Sequence, residues 1–299
     1  MRAGLFALHP GPLVSIMLPP RGRPAHMLAA IDSAVSLAAD HRNIEFLLKI
    51  DDDDRPTIAA VEQLHAAFPA LNLGWVVSPR GDGYFSMHHW INDLASRSSG
   101  DWLFLFNDDA RFKTQGWDVT LSLMGTKYPW VGISDVCLLV APTIDRPFAQ
   151  EFFFVRRRTT EILGHLSLSP HNDNWIHTVV NFVGGKLQTN IEIEHLSADM
   201  DDEIRASTVE AYKTTILSME TIEARRALWR DADTLLTHME GLEKRVDWKD
   251  TPSNGDGGYY FKADGGRQEV CFVQSGTLYR LESNEKHEAI PKAVDEMPI

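Results

Sequence analysis

The segment Gly100 to Phe112 reads GDWLFLFNDDARF, an unbroken apolar run from Trp102 to Phe106 that gives way at once to Asn107, Asp108 and Asp109. A run this short with no polar face reads as a strand buried on both sides, the pattern of a parallel sheet. Its acids then emerge at the sheet's edge. The same grammar recurs upstream. LVSIML (Leu13 to Leu18) precedes a helix opened by Pro24, since proline suits a first helical position. IEFLLKI (Ile44 to Ile50) leads into Asp51 to Asp54 and a helix from about Pro56, and LGWVVS (Leu73 to Ser78) precedes a loop and a helix near Met87. Strands that alternate with helices predict an α/β fold with a mostly parallel, Rossmann-like sheet and right-handed crossovers.

Beyond Asp109 the rhythm loosens. The pattern predicts a helix near Trp117, apolar stretches at Trp130 to Val140 and Phe152 to Val155, a helix near Asn174 to Val183 and a strand ending at His195. Asp201 to Val246 is helical in composition, with apolar residues on one face and Gly241 near a helix end. From Gly255 the tail reads as a β-meander, with Asp-Gly-Gly and Ser-Gly turns between apolar runs. The expected organisation is residues 1–200 as the main domain, 201–249 as a helical extension and 250–299 as a β-rich tail.

Composition removes several classes of function. No window reaches the apolar length that spans a bilayer, and the short apolar patch near the start is broken by His9 and Pro10 without a cleavage site, so neither a membrane span nor a secretory signal is expected. Cys137 and Cys271 each lie in an apolar strand-like run, which fits buried free thiols and a reducing cytoplasm. A net charge of −13 disfavours general electrostatic capture of nucleic acid.

Ligands of open parallel sheets bind beyond the carboxyl ends of the strands, where Asp51 to Asp54 and Asn107 to Asp109 both fall. One acid at a strand end is ordinarily a helix cap or a turn residue. Two clusters facing one crevice point to a site, and because carboxylates repel, to a cation between them. Magnesium or manganese suits oxygen ligands and is commonly shared with substrate phosphates, so a nucleotide diphosphate is the expected partner. Arg21 and Arg23, in PPRGRP, are placed to reach phosphate oxygens. The chain has no GxGxxG, P-loop, GxSxG or HExxH, and His88-His89 lack metal-ligand spacing.

Four segments, over roughly Leu13 to Ser197, resemble nucleotide-sugar glycosyltransferases of the GT-A fold, particularly the large family 2 group. VSIMLPPRGRP resembles the family's first strand, Pro-containing turn and basic loop, which implies Pro19, Arg21 and Arg23 at the donor. FLLKIDDDDRP is similar to the second strand, whose terminal acid contacts the nucleoside, and implies Asp51 and Asp52 for ribose or base. INDLASRSSGDWLFLFNDDARF resembles the helix, glycine, strand and DxD-like metal motif; with Asn107 in the motif's first position, Asp109 is implied as the main metal ligand and Asp108 as a neighbour of the donor ribose or metal. HNDNWIHTVVNFVGGKLQTNIEIEHLS resembles the segment of an acid, a helix, a glycine turn and a strand with a late histidine, which implies His195 at the metal or diphosphate. Asp173 takes the place of the acid that deprotonates the acceptor in inverting members.

The resemblance implies transfer of a hexosyl or pentosyl unit from a nucleotide diphosphate sugar, with UDP the expected nucleotide, to an acceptor hydroxyl with the help of Mn2+ or Mg2+. Two other readings share these features: a nucleotidyltransferase, and a catalytically degenerate nucleotide-sugar or carbohydrate-binding module, for which Asn107 is the argument. Polysaccharide, lipid-linked sugar, protein, metabolite and modified DNA base remain open as acceptors. The C-terminal segments could select among them or build a homo-oligomer.

Overall fold

A computed structural model describes residues 12–144, 151–196 and 221–243, together with strands at 259–264, 267–274, 277–283 and 289–293. The first strand, β1 (Val14–Leu18), is buried at every position. It pairs in parallel on both sides, with β2 (Ile44–Asp51) and β4 (Trp102–Leu105), and β3 (Leu73–Ser78) lies parallel beyond β2. Helices α1 (Pro24–Leu37), α2 (Arg55–Ala67) and α3 (Met87–Arg97) make the returns. Local chemistry sets where they begin. Pro24 occupies the first turn of α1, and Asp54 caps α2 by accepting the Thr57 amide at 3.3 Å.

The second half adds β5 (Ala110–Phe112), α4 (Trp117–Lys127), α5 (Pro129–Ile133), β6 (Leu138–Ala141), β7 (Phe152–Arg156), α6 (Arg157–Leu163), α7 (Asn172–Phe182), β8 (Lys186–Gln188), β9 (Ile193–His195) and α8 (Ile222–Glu243). The main sheet has seven strands in the order β3-β2-β1-β4-β7-β6-β8, and only β7 runs against its neighbours. The stretch Trp130 to Val140 is two elements, a short helix and β6, divided at Ser134. Gly241 lies within α8, close to its end. The rest of the predicted helical region, 201–220 and 244–246, and the first eleven positions fall outside the described residues. The tail is an antiparallel meander of β10 (Tyr259–Asp264), β11 (Arg267–Gln274), β12 (Thr277–Ser283) and β13 (Ala289–Ala293). Pro291 hides that last strand from a sequence reading, because proline demotes a run.

Two cores flank the sheet. On one face Val14, Ile16, Phe104 and Phe154 pack with α1, α2 and α4, and rings stack from Phe104 to Phe154 (4.3 Å between centroids) and from Phe112 to Trp117 (4.4 Å). On the other face Met17, Leu103 and Phe153 meet Ile91 and Leu94 of α3, Val179 and Val180 of α7, and Leu228 and Leu235 of α8. Successive residues of Trp102 to Phe106 alternate between these cores, so the run needs no polar face. Cys137 is a buried free thiol, and among the described residues no helix is long and apolar enough to cross a membrane.

Gly100 marks where β4 meets β1. Its amide donates to Ser15 Oγ at 2.8 Å, and a Cβ there would lie 2.5 Å from the Ser15 backbone nitrogen. Backbone atoms cannot swing aside as a flexible side chain would, so Gly100→Ala is expected to destabilise the protein by about 3 kcal/mol in urea denaturation. A loss below about 0.5 kcal/mol, the scale of an ordinary surface change, would contradict this close approach. Burial also pushes the Cys137 thiol up to about 12. In a Cys271→Ser protein at pH 8, a thiol reagent is expected to find nothing to titrate until denaturant is added.

Candidate active site

Val14 stands opposite both Ile44 and Trp102, so β1, β2 and β4 end at a common edge, the place where open parallel sheets bind ligands. Two charged clusters form there. In the first, Lys49 of β2 is only 3% exposed. Its ammonium bonds Asp51 Oδ1, donates to the Pro79 carbonyl at 3.4 Å and sits 3.8 Å from the centroid of the Trp90 ring. The other oxygen of Asp51 accepts from Arg21 Nη1 at 2.5 Å, and the same guanidinium spans Asp53 at 2.7 and 3.1 Å. Asp51 is therefore enclosed by two cations. Asp52 is exposed, with its amide donating to the Ser78 carbonyl at 3.0 Å, and Pro19 is half-buried at the exit of β1. Asp54 ties the first loop to the second by accepting the Gly22 amide at 2.6 Å.

The second cluster is built by a turn and a ribbon. Phe106 extends β4 by donating to the Met17 carbonyl at 2.9 Å, and the Ala110 amide closes on the Asn107 carbonyl at 3.2 Å, leaving Asp108 and Asp109 in the turn. β5 then pairs antiparallel with β9, Ala110 opposite His195, and the Leu196 amide donates to the Asp109 carbonyl at 2.8 Å. This pairing carries His195 to Asp109: Nε2 lies 3.4 Å from Asp109 Oδ1, and Nδ1 lies 2.7 Å from Glu151 Oε2. Arg23 Nη1 is 3.4 Å from Asp108 Oδ1, and Arg111 donates to the carbonyls of Asp108 (2.8 Å) and Ala110 (2.6 Å).

Burial, then the charge of Asp109, pushes the Asp108 carboxyl up to about 6. Burial acts on Asp109 as well, but the His195 hydrogen bond leads the opposing effects and holds it below the ordinary carboxylate value. Burial of His195 disfavours its proton, yet the bonds to Asp109 and Glu151 prevail and lift it to about 9. Asp173, in the first turn of α7, is half-buried, with the Asn174 amide on its carboxylate. Burial raises it above the usual range and the negative charge of Glu151 adds to the rise. Glu151 thus contacts His195.

Arg23, Asp108, Asp109 and His195 come together in one cluster and Arg21 and Asp51 in the other, while Asp173 stands at the head of α7. Three participants were not anticipated from sequence. Glu151 is a single acid before an apolar run and gives no signal. Asp53, inside the acidic run but given no role by the resemblance, takes Arg21. Lys49 did carry a signal, since a lysine inside an apolar strand needs a buried partner.

Among the described residues no three His, Cys, Asp or Glu side chains gather as a self-sufficient metal group. Asp109 and His195 are the pair that would hold a divalent ion at this edge, through Oδ1 and a deprotonated Nε2. Glu151 on Nδ1 would orient that imidazole for such a role.

Among solved structures, the chain is similar to the mannosyltransferase PcManGT of Pyrobaculum calidifontis, in complex with GDP-Man and Mn2+, at 15% identity over 79% of this chain and 76% of that one, with a TM-score of 0.51. It also aligns with residues 1–349 of S. aureus TarS at 11% identity over 89% of this chain and 98% of that one, with a TM-score of 0.49 that is too low to bear on the fold. No family model matches the chain, and no curated protein matches it. The chain has a GT-A-like glycosyltransferase fold: a mostly parallel mixed sheet with helices on both faces and a C-terminal helix.

Removing Asp51 would strand the buried ammonium of Lys49. Asp51→Ala is expected to cost about 3 kcal/mol of stability, and Lys49→Met in the same chain to restore most of it, as measured by denaturation. Additive losses in the double variant would show that the two charges do not depend on each other.

Proposed function

We propose that the protein transfers a hexosyl or pentosyl unit from a nucleotide diphosphate sugar, UDP-linked, to an acceptor hydroxyl, with Mn2+ or Mg2+ held by Asp109 and His195. The observation that carries this reading is the meeting of those two side chains, with Glu151 behind the histidine, at the carboxyl edge of a GT-A-like sheet. The bound ion would supply Lewis-acid stabilisation of the charge that develops on the departing diphosphate. Arg23, beside Asp108, and Arg21 set permanent positive charge at the same edge. Asp51 acts on the donor by holding Arg21. Asp52, exposed next to it, is the acid open to ribose or base. Asp108 lies at the donor ribose or the ion. Asp173, its affinity for a proton raised by burial, takes the acceptor's proton as general base in an inverting transfer. GDP-Man and Mn2+ in the Pyrobaculum enzyme support a donor and an ion of these classes, and make GDP the nucleotide to weigh against UDP.

A thermal-shift comparison of UDP, GDP, CDP, ADP and dTDP, each with and without Mn2+, tests the donor site. One diphosphate at about one hundred times its Kd is expected to raise Tm by roughly 5 °C only with the metal, and Asp109→Ala to abolish that shift. Asp173→Asn is expected to keep the shift and lose turnover by about 100-fold or more. Release of nucleoside diphosphate marks sugar transfer, whereas release of pyrophosphate would identify a nucleotidyltransferase. A metal-dependent shift with no turnover of any donor would identify a binding module.

A further inference from the structure

Asp173 stands at the head of α7, and the chain that delivers it makes no strand of the sheet. That chain leaves α6 at Gly164, whose φ of 77° turns it out of the helix, and re-enters helix after His171, where no side-chain cap hydrogen bond closes the first turn. Neighbouring elements also hold this turn from both sides. From one side Asn92 of α3 takes the Leu166 and Ser167 amides on its carbonyl oxygen at 2.8 and 3.1 Å and donates to the Ser167 carbonyl at 2.7 Å. From the other side comes α8, which packs on α6 and α7 through Ala227, Leu228, Ala232 and Leu235. Asp231 of α8 is a buried carboxylate, 8% exposed, set among the buried apolar residues Ala227, Leu228, Ala232 and Leu235. A single oxygen of it, Oδ2, accepts from Trp175 Nε1 at 2.9 Å and lies 2.9 Å from His165 Nε2. These are the two ends of the excursion, and Trp175 is two residues beyond Asp173.

We propose that Asp231 is a positioning residue for Asp173, so that α8 belongs to the catalytic machinery. The inference rests on the reading of Asp173 as the general base. Packing alone would be met by an apolar residue on that helix face, as its neighbours show. A buried carboxylate that bonds both ends of the loop fixes more than the position of α8: it sets the height and rotation of the first turn of α7. A base must lie within hydrogen-bond reach of its proton, and a displacement on the order of 1 Å costs roughly 100-fold in rate. Trp175 is 1% exposed, so its indole cannot recover a partner from water when Asp231 is lost.

The test measures nucleoside diphosphate release from UDP-glucose, UDP-N-acetylglucosamine and GDP-mannose with Mn2+ by the full chain. Asp231→Ala is expected to lower kcat by about 10- to 100-fold while the donor KM and the metal-dependent thermal shift with diphosphate stay as in the parent protein. On an Asp173→Asn background the same change is expected to alter the residual rate by less than about twofold, because a residue that works through Asp173 has nothing left to position. Asp231→Asn, which keeps an acceptor for Trp175, should fall between parent and Asp231→Ala. If Asp231→Ala does not fold, Trp175→Phe keeps an aromatic ring in the core, removes the donor at this oxygen together with part of the indole, and carries the same comparison. Unchanged kcat, or an equal proportional loss in both backgrounds, would overturn the proposal and leave Asp231 as a structural bond. Full turnover in Asp173→Asn alone would instead remove the base assignment beneath it.

Discussion

Parallel pairing of β1 on both sides is the constraint from which the remaining structure follows. A central strand of this kind can satisfy its backbone only through β2 and β4, and its side chains can go only into the two cores, which is why all five of its residues are buried. Because Val14 pairs with both Ile44 and Trp102, the three strands cannot slip independently. A shift of one residue would exchange the faces of Phe104 and Leu103 and set each against the wrong core. The register that fills the cores therefore also fixes where the chain becomes polar, and Asp51, Asp108 and Asp109 inherit their common edge from it.

Placing acids at that edge creates an electrostatic problem, and the two clusters meet it differently. Asp51 is neutralised permanently by Lys49 and Arg21 in an enclosed network. Such a network is a poor source of stability against an apolar substitute, but it specifies geometry, because each charge has partners in fixed directions. The cluster at Asp108 and Asp109 is compensated by groups that can change state or move: an imidazole with Glu151 on its far side, and Arg23 at the longer distance of 3.4 Å. Under the proposed function, exchange of a cation and a diphosphate would need this second kind of compensation. The first kind suits a support.

The alternation of strands and helices as far as Phe112 was visible in the sequence because each element there is settled by neighbours close in the chain: apolar runs of strand length, proline at helix starts and acids at strand ends. The partner of Asp109 was not visible on these grounds. His195 follows an ordinary alternating strand, and it meets Asp109 only because β5 and β9 pair across more than eighty residues, a contact with no local signature; resemblance to a family, not pattern, pointed to it. Glu151 precedes an apolar run that is notable only for its phenylalanines. The aromatic residues illustrate the converse. Trp117 and Trp175, which in a crevice would suit a sugar, are fully buried, and each spends its indole N–H inside the protein, on the Ala34 carbonyl and on Asp231. Composition does not distinguish a stacking platform from a core ring; the second partner of the indole does.

The two faces of the sheet also differ in how they close. The face toward α1, α2 and α4 is closed by helices that lie next to their strands in sequence, and Arg21, Arg23 and Asp51 all come from the first half of the chain. The opposite face is completed by α8, which arrives after the last strand of the sheet. α7 is packed on that face, and with it Asp173. Under the proposed function, the donor edge draws on the first half of the chain together with β9, which brings His195, while the group that activates the acceptor depends on a helix supplied from the C-terminal side. Changes in how α8 seats would then reach the acceptor chemistry through Trp175 and leave the diphosphate edge intact, which gives the extension a direct physical route to the reaction.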